Sequence, residues 1–144
     1  MKSSGRVSLV ALLSVVAIGI FVSVFFFSKE SLSSVGGRFM TALAKGDVDT
    51  LTKMSYSNKS PEEIRKEWDY TVHKAGKNYN FLWRILSATQ ADKDTASIRV
   101  GVTGDPANGS SYEQNYGLPL VKVGDEWKVD IKGINREMYP FLPR

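Results

Sequence analysis

The sequence predicts an α+β domain behind a single N-terminal transmembrane helix, with helices packed on a curved antiparallel sheet. Three observations predict it. Residues 7–27 form one apolar run without a charge, and at about 1.5 Å of rise per residue such a helix spans a hydrocarbon core of about 30 Å. Beyond the run, apolar residues recur at helical spacing, until at Lys77 the period changes from about 3.6 to about 2. Helices first and strands afterwards is the order of an α+β fold.

The apolar run reads as a membrane anchor. Val7, Leu9, Leu12, Leu13, Val16, Ile20, Phe21, Phe25, Phe26 and Phe27 are its expected lipid contacts. Lys2 and Arg6 precede it, while Lys29 and Glu30 behind it nearly cancel. Positive charge stays on the cytoplasmic side, so residues 1–6 are expected inside and the domain outside, periplasmic or extracellular. A cleaved signal peptide is the competing reading. Its apolar region would be about 7–15 residues, ending at a small-x-small site. This run is longer and ends in Phe25-Phe26-Phe27, although Ser31, Ser33 and Ser34 follow. The retained anchor fits better. A core helix fits worst, because a small domain has no interior able to surround a helix apolar on every face.

Charge and cysteine content narrow the function. Of the 19 basic residues, Lys2 and Arg6 precede the run, so 17 stand against 15 acidic ones in the remainder, a net charge of +2. That balance argues against nucleic acid, which calls for a clustered basic face. The chain has no cysteine, which removes disulfides, thiolate nucleophiles and cysteine metal sites.

The soluble part reads in order. Residues 28–34 are a polar linker to a domain over residues 35–132. Leu32, Val35, Phe39, Ala42 and Leu43 recur at helical spacing, and Gly46 is a left-handed stop. Gly36 and Gly37 weaken the start, so this helix is expected from about Arg38. Asp47 caps a short helix with Val48, Leu51 and Met54; residues 56–59 read as a loop. Ser60-Pro61-Glu62-Glu63 is a capping box with proline at the first helical position, and Ile64, Trp68, Thr71 and Ala75 share one face before Gly76 ends the helix. Tyr79, Phe81, Trp83 and Ile85 then alternate with Asn80, Leu82, Arg84 and Leu86 as a first strand. Asp92-Lys93-Asp94 is a turn, and Ala96, Ile98, Val100 and Val102 form one face of a second strand. Tyr112, Gln114, Tyr116, Leu118 and Leu120 form one face of a third, with a bulge or edge position expected near Pro119. Gly124-Asp125 turns into a fourth strand with Trp127, Val129 and Ile131. Residues 133–144 are an apolar irregular tail. It either folds back over the sheet or docks a partner.

Two stretches carry a resemblance. Residues 39–51 (FMTALAKGDVDTL) and residues 120–131 (LVKVGDEWKVDI) resemble the first helix, Gly-Asp loop and second helix, and the closing hairpin, of the NTF2-like (cystatin-like) superfamily. The similarity covers roughly residues 32–131. It implies a half-open cone, a curved sheet wrapped round a helix with a pocket at the wide end. Membrane-tethered versions resemble lipoprotein-type members and, more loosely, VirB8-type secretion subunits. Some members are dehydratases, isomerases or epoxide hydrolases; others associate without catalysis, and fold alone does not choose.

Catalytic members generally use a pocket acid or base. The single histidine, His73, lies four residues after Asp69, so the two meet on one helical turn and form the kind of pair that serves as a general base. Trp68 and Ala75 mark the buried face, however, and Asp69 and His73 are rotated from it by about 100–200°. A solvated pair is expected. Glu126, Asp130, Arg84 and Arg99 fall on polar strand faces, where exposed ion pairs are the ordinary outcome. Neither metal spacing nor a nucleophile motif is present. No catalytic residue, cofactor or metal ligand is therefore assigned.

The expected function is a non-catalytic, single-pass accessory or assembly subunit of a larger membrane complex. Its partners are membrane lipid and other membrane-protein subunits, with a homodimer through the sheet compatible. The candidate partner contacts are Tyr112, Tyr116, Met138, Tyr139, Phe141 and Leu142. The alternative is a ligand-binding or dehydratase- or isomerase-like pocket in the cone.

Overall fold

The computed structural model describes residues 30–105 and 112–144. The anchor expected over residues 7–27 lies outside them. No described helix is long and apolar enough to cross a membrane. Residues 32–144 form one compact unit.

Three helices precede the sheet. Helix α1 (Leu32–Lys45) turns Val35, Phe39, Met40, Ala42 and Leu43 inward. It begins earlier than expected, inside the stretch read as linker, and runs through Gly36 and Gly37. Propensity counts against that, but packing decides. A Cβ on Gly36 would stand 2.6 Å from Ile98 Cδ1, so only glycine lets the helix approach the sheet this closely. Gly46 ends the turn at φ 68°, the left-handed conformation expected of it. Helix α2 (Val48–Met54) starts at Asp47, whose carboxylate accepts from the Thr50 amide at 3.2 Å.

Helix α3 (Pro61–Asp69) carries the full capping box. The Glu63 amide donates to Ser60 Oγ at 3.3 Å, and the Ser60 amide donates to Glu63 Oε2 at 3.0 Å. Ile64 and Trp68 face the core. The helix then widens into a π-helix over Tyr70–Ala75, a feature the spacing did not announce. The extra residue per turn lets Thr71 and Val72 both be buried.

The sheet is mixed, with strand order β1-β5-β4-β3-β2. Strand β1 (Ser55–Tyr56) corrects the sequence reading twice, since a loop was expected there and the sheet was expected to be wholly antiparallel. It pairs in parallel with β5, Ser55 opposite Val129. Strands β2 (Leu82–Gln90), β3 (Thr95–Thr103), β4 (Glu113–Val123) and β5 (Glu126–Asp130) form the expected antiparallel meander. The turn at Asp92 is held by its carboxylate, which accepts from the Asp94 and Thr95 amides at 2.8 Å. The bulge falls in β2, between Ile85 and Ser87. Pro119 keeps an unbroken register opposite Ser97 and lies one residue past the end of the β4–β5 pairing, where the proline's missing N–H is least costly.

The helices cover one face of the sheet. Ala96, Ile98, Val100 and Val102 of β3, Tyr116, Leu118 and Leu120 of β4, and Val129 of β5 meet Phe39, Leu43, Leu51 and Trp68. The Phe39 and Trp68 rings lie edge to face at 5.9 Å. Trp68 Nε1 donates to Ser55 Oγ at 2.8 Å, so a fully buried indole keeps its partner.

Candidate functional site

The end of the sheet where β2 begins, β3 ends and β4 begins is the mouth of the cone, the place where the resemblance puts a pocket. Aromatic residues supply it. Leu82 pairs with Thr103 and Thr103 with Glu113, so Phe81 and Tyr112 are the next residues of their chains at that end.

The C-terminal tail closes this mouth. After β5 the chain makes a short 3-10 turn (Ile131–Gly133), then crosses from β4 to β2. Tyr116 Oη donates to the Glu137 carbonyl at 3.3 Å. Tyr139 stacks edge to face with Tyr79 at 5.1 Å and with Phe81 at 5.9 Å. Thr71, the one buried polar residue among those described, donates its hydroxyl to the Phe141 carbonyl at 2.7 Å. The π-helix thus has a structural consequence, since it sets the hydroxyl that fastens the tail.

This arrangement sorts the expected partner contacts. Met138, Tyr139 and Leu142 are buried, as is Tyr116 on the helix-covered face. These four are core residues of the folded chain, because the tail folds back and the strand alternation turns Tyr116 inward. Tyr112 is 83% exposed and Phe141 40% exposed; they alone of the six present substantial surface.

The phenols at the mouth are all harder to ionise than usual. Burial raises the Tyr79 pKa, with the Asp105 carboxylate adding to it. Burial likewise raises Tyr116, aided by Glu137 and Tyr79, and raises Tyr139, aided by Tyr79. The groups are neutral hydrogen-bonding and packing elements near neutrality.

Elsewhere the charged residues pair on the surface. His73 Nδ1 lies 2.8 Å from Asp69 Oδ1, and both side chains are more than half exposed. The hydrogen bond from His73 lowers the Asp69 pKa. The pair sits beside Gly46 on the outside of the domain, away from the mouth. Arg84 grips Glu113 with two bonds, Nε to Oε2 at 2.7 Å and Nη2 to Oε1 at 2.8 Å, which raises the arginine pKa and lowers that of the carboxylate. The clamp spans β2 to β4 above Gly101, where a side chain would collide with the Glu113 carboxylate. An open groove of about 490 Å³ runs along α3 and the π-helix; Arg65, Lys66, Asp69 and Lys74 line it with Glu62 and Tyr70. Its charged lining differs from the apolar concavity of a small-molecule site. Among the described residues no three His, Asp or Glu side chains are grouped to hold a metal ion.

No protein-family model matches the chain, and no curated protein matches it. Among solved structures it is similar to an NTF2-like protein from Campylobacter jejuni, provisionally named a transpeptidase, at 22% identity and a TM-score of 0.47, covering 69% of this chain and 97% of that one. It is also similar to a ketosteroid isomerase-like protein from Erwinia carotovora atroseptica at 14% identity and a TM-score of 0.46, covering 67% and 85%. The names agree with the NTF2-like domain expected from the sequence. At these identities the likeness concerns the fold alone.

Proposed function

We propose that the chain is a non-catalytic accessory or assembly subunit of a membrane protein complex, held at the membrane by residues 7–27 and acting through its α+β domain outside the cytoplasm. The observation that carries this reading is the closed mouth. Met138, Tyr139 and Leu142 are each 5% exposed or less, and they occupy the place where an enzyme of this fold would admit a substrate. The His73–Asp69 pair, the one candidate acid–base couple, stands in solvent with no concave apolar surface around it. The uncharged run of residues 7–27 supports the anchor.

The test is purification of the full chain through a tag placed before Met1, after extraction in mild detergent. The expected result is a defined set of membrane subunits at fixed stoichiometry. Recovery of the chain alone, together with saturable binding of a small apolar ligand to the domain, would replace the proposal with a pocket function.

A further inference from the structure

We infer that the closed mouth of the cone is itself the docking face, and that it receives a partner-protein segment carrying both apolar and basic side chains. The inference rests on the accessory-subunit reading and names the surface that reading leaves open.

The first argument is apolar. Tyr112 is the most exposed large apolar residue described, and Phe141 is 40% exposed. Between them the half-buried Tyr79 and Phe81 stack at 5.9 Å, and Tyr139 joins this pair to Phe141, 6.3 Å away. Tyrosine and phenylalanine backed by a packed layer lose little conformational freedom on binding, and such rings dominate the energetics of interfaces. The layer behind them is firm because the tail is pinned at Thr71 and Tyr116.

The second argument is electrostatic. Asp105 and Glu137 lie close enough to the phenols of Tyr79 and Tyr116 to act on their ionisation. The rim therefore carries negative charge, on a chain whose net charge is +4. Complementarity selects a basic partner surface. The same carboxylates oppose an anionic lipid surface, and in a symmetric pair of mouths they would face each other at a cost.

The experiment uses the full chain in its own membrane. A photo-crosslinking residue replaces Tyr112 or Phe141, and Tyr56 or Tyr70 as controls on other faces. In parallel, Tyr112→Ser with Phe141→Ser, Glu137→Lys, and Tyr70→Ser are purified with whatever subunits accompany the unaltered chain. The expected result is a crosslink from 112 and 141 to one of those subunits, at a segment holding Lys or Arg. Recovery of that subunit should fall about tenfold or more in the double serine variant and in Glu137→Lys, and hold in Tyr70→Ser. Undiminished recovery in both mouth variants would overturn the inference while leaving the accessory reading intact. A crosslink to lipid or to a second copy would overturn it in favour of that occupant. If the unaltered chain brings down no subunit, the accessory reading fails and the docking face with it.

Discussion

Gly76→Ala puts the packing of the tail to a sharp test. Gly76 has φ −96° and ψ 12°, a conformation open to alanine, so the backbone gives no reason for glycine. In the unfolded chain alanine would even favour folding, by about 0.4–1 kcal/mol. The obstacle is space. A Cβ at this position would lie 2.0 Å from Tyr139 Oη, 3.0 Å from Tyr139 Cζ and 2.7 Å from the Thr71 carbonyl oxygen. Tyr139 is 2% exposed and wedged between Tyr79 and Phe81, so it has no free rotamer to retreat to. Overpacking of this kind costs about 1–3 kcal/mol. Complete ejection of the ring would forfeit the burial of about 200 Å², roughly 5 kcal/mol as an upper bound. Urea unfolding of a soluble form beginning at Glu30 should therefore show a loss of about 2–4 kcal/mol. Adding Tyr139→Phe removes the atom in the worst contact and should recover at least about 1 kcal/mol of that loss. The remaining contacts, with Cζ and the Thr71 carbonyl, keep the recovery partial. The reasoning is refuted if Gly76→Ala is as stable as the parent, or if the two substitutions simply add.

Other consequences are equally direct. Thr71→Val keeps the shape of the side chain but leaves the Phe141 carbonyl without its 2.7 Å donor; a loss of about 1–3 kcal/mol is expected in the same unfolding assay. Met138→Ala, at a residue 1% exposed, should cost about 2–5 kcal/mol, whereas a tail that merely lay on the surface would lose almost nothing. Ser60→Ala removes the capping oxygen of α3 and should cost about 1 kcal/mol, read as a lowered urea midpoint. Asp47, Asp69, Asp92 and Glu113 all have lowered pKa values in the folded chain. Their contributions are complete above the ordinary values of 3.8 for the aspartates and 4.5 for the glutamate, and are lost as pH falls through the lowered folded values. The urea midpoint should accordingly drop on acidification below about pH 4.5, and Glu113→Gln should flatten part of that drop. Parallel curves for parent and variant would show that the Arg84 clamp contributes no linkage.

Much of the fold was legible because its signals are local. A cap acts within one turn, so Asp47 and Ser60 marked the starts of α2 and α3. Alternation acts between neighbouring residues, so Ala96, Ile98, Val100 and Val102 announced the inner face of β3. Gly46 could be read as a left-handed stop, since φ is a property of one residue. Gly76 could be read only as a stop, because the reason for glycine there is a tyrosine 63 positions further along the chain. The start of α1 was misplaced for the same cause. Gly36 looks like a helix breaker until Ile98 is set against it.

The candidate site was legible in composition and not in arrangement. The apolar, irregular character of residues 133–144 was plain from the sequence, and so was the supply of aromatic side chains. Whether Tyr116, Met138, Tyr139 and Leu142 met solvent or core depended on where the tail went. The sequence by itself determined the uncharged run, the change of period at Lys77 and the α+β order, all set by neighbours within a few residues. Only the tertiary structure decided that β1 joins β5 in parallel, that the π-helix brings Thr71 to the Phe141 carbonyl, and that Tyr112 and Phe141 remain outside. Those outcomes depend on contacts between residues far apart in the chain, whose burial and hydrogen bonds exist only once the chain has closed on itself.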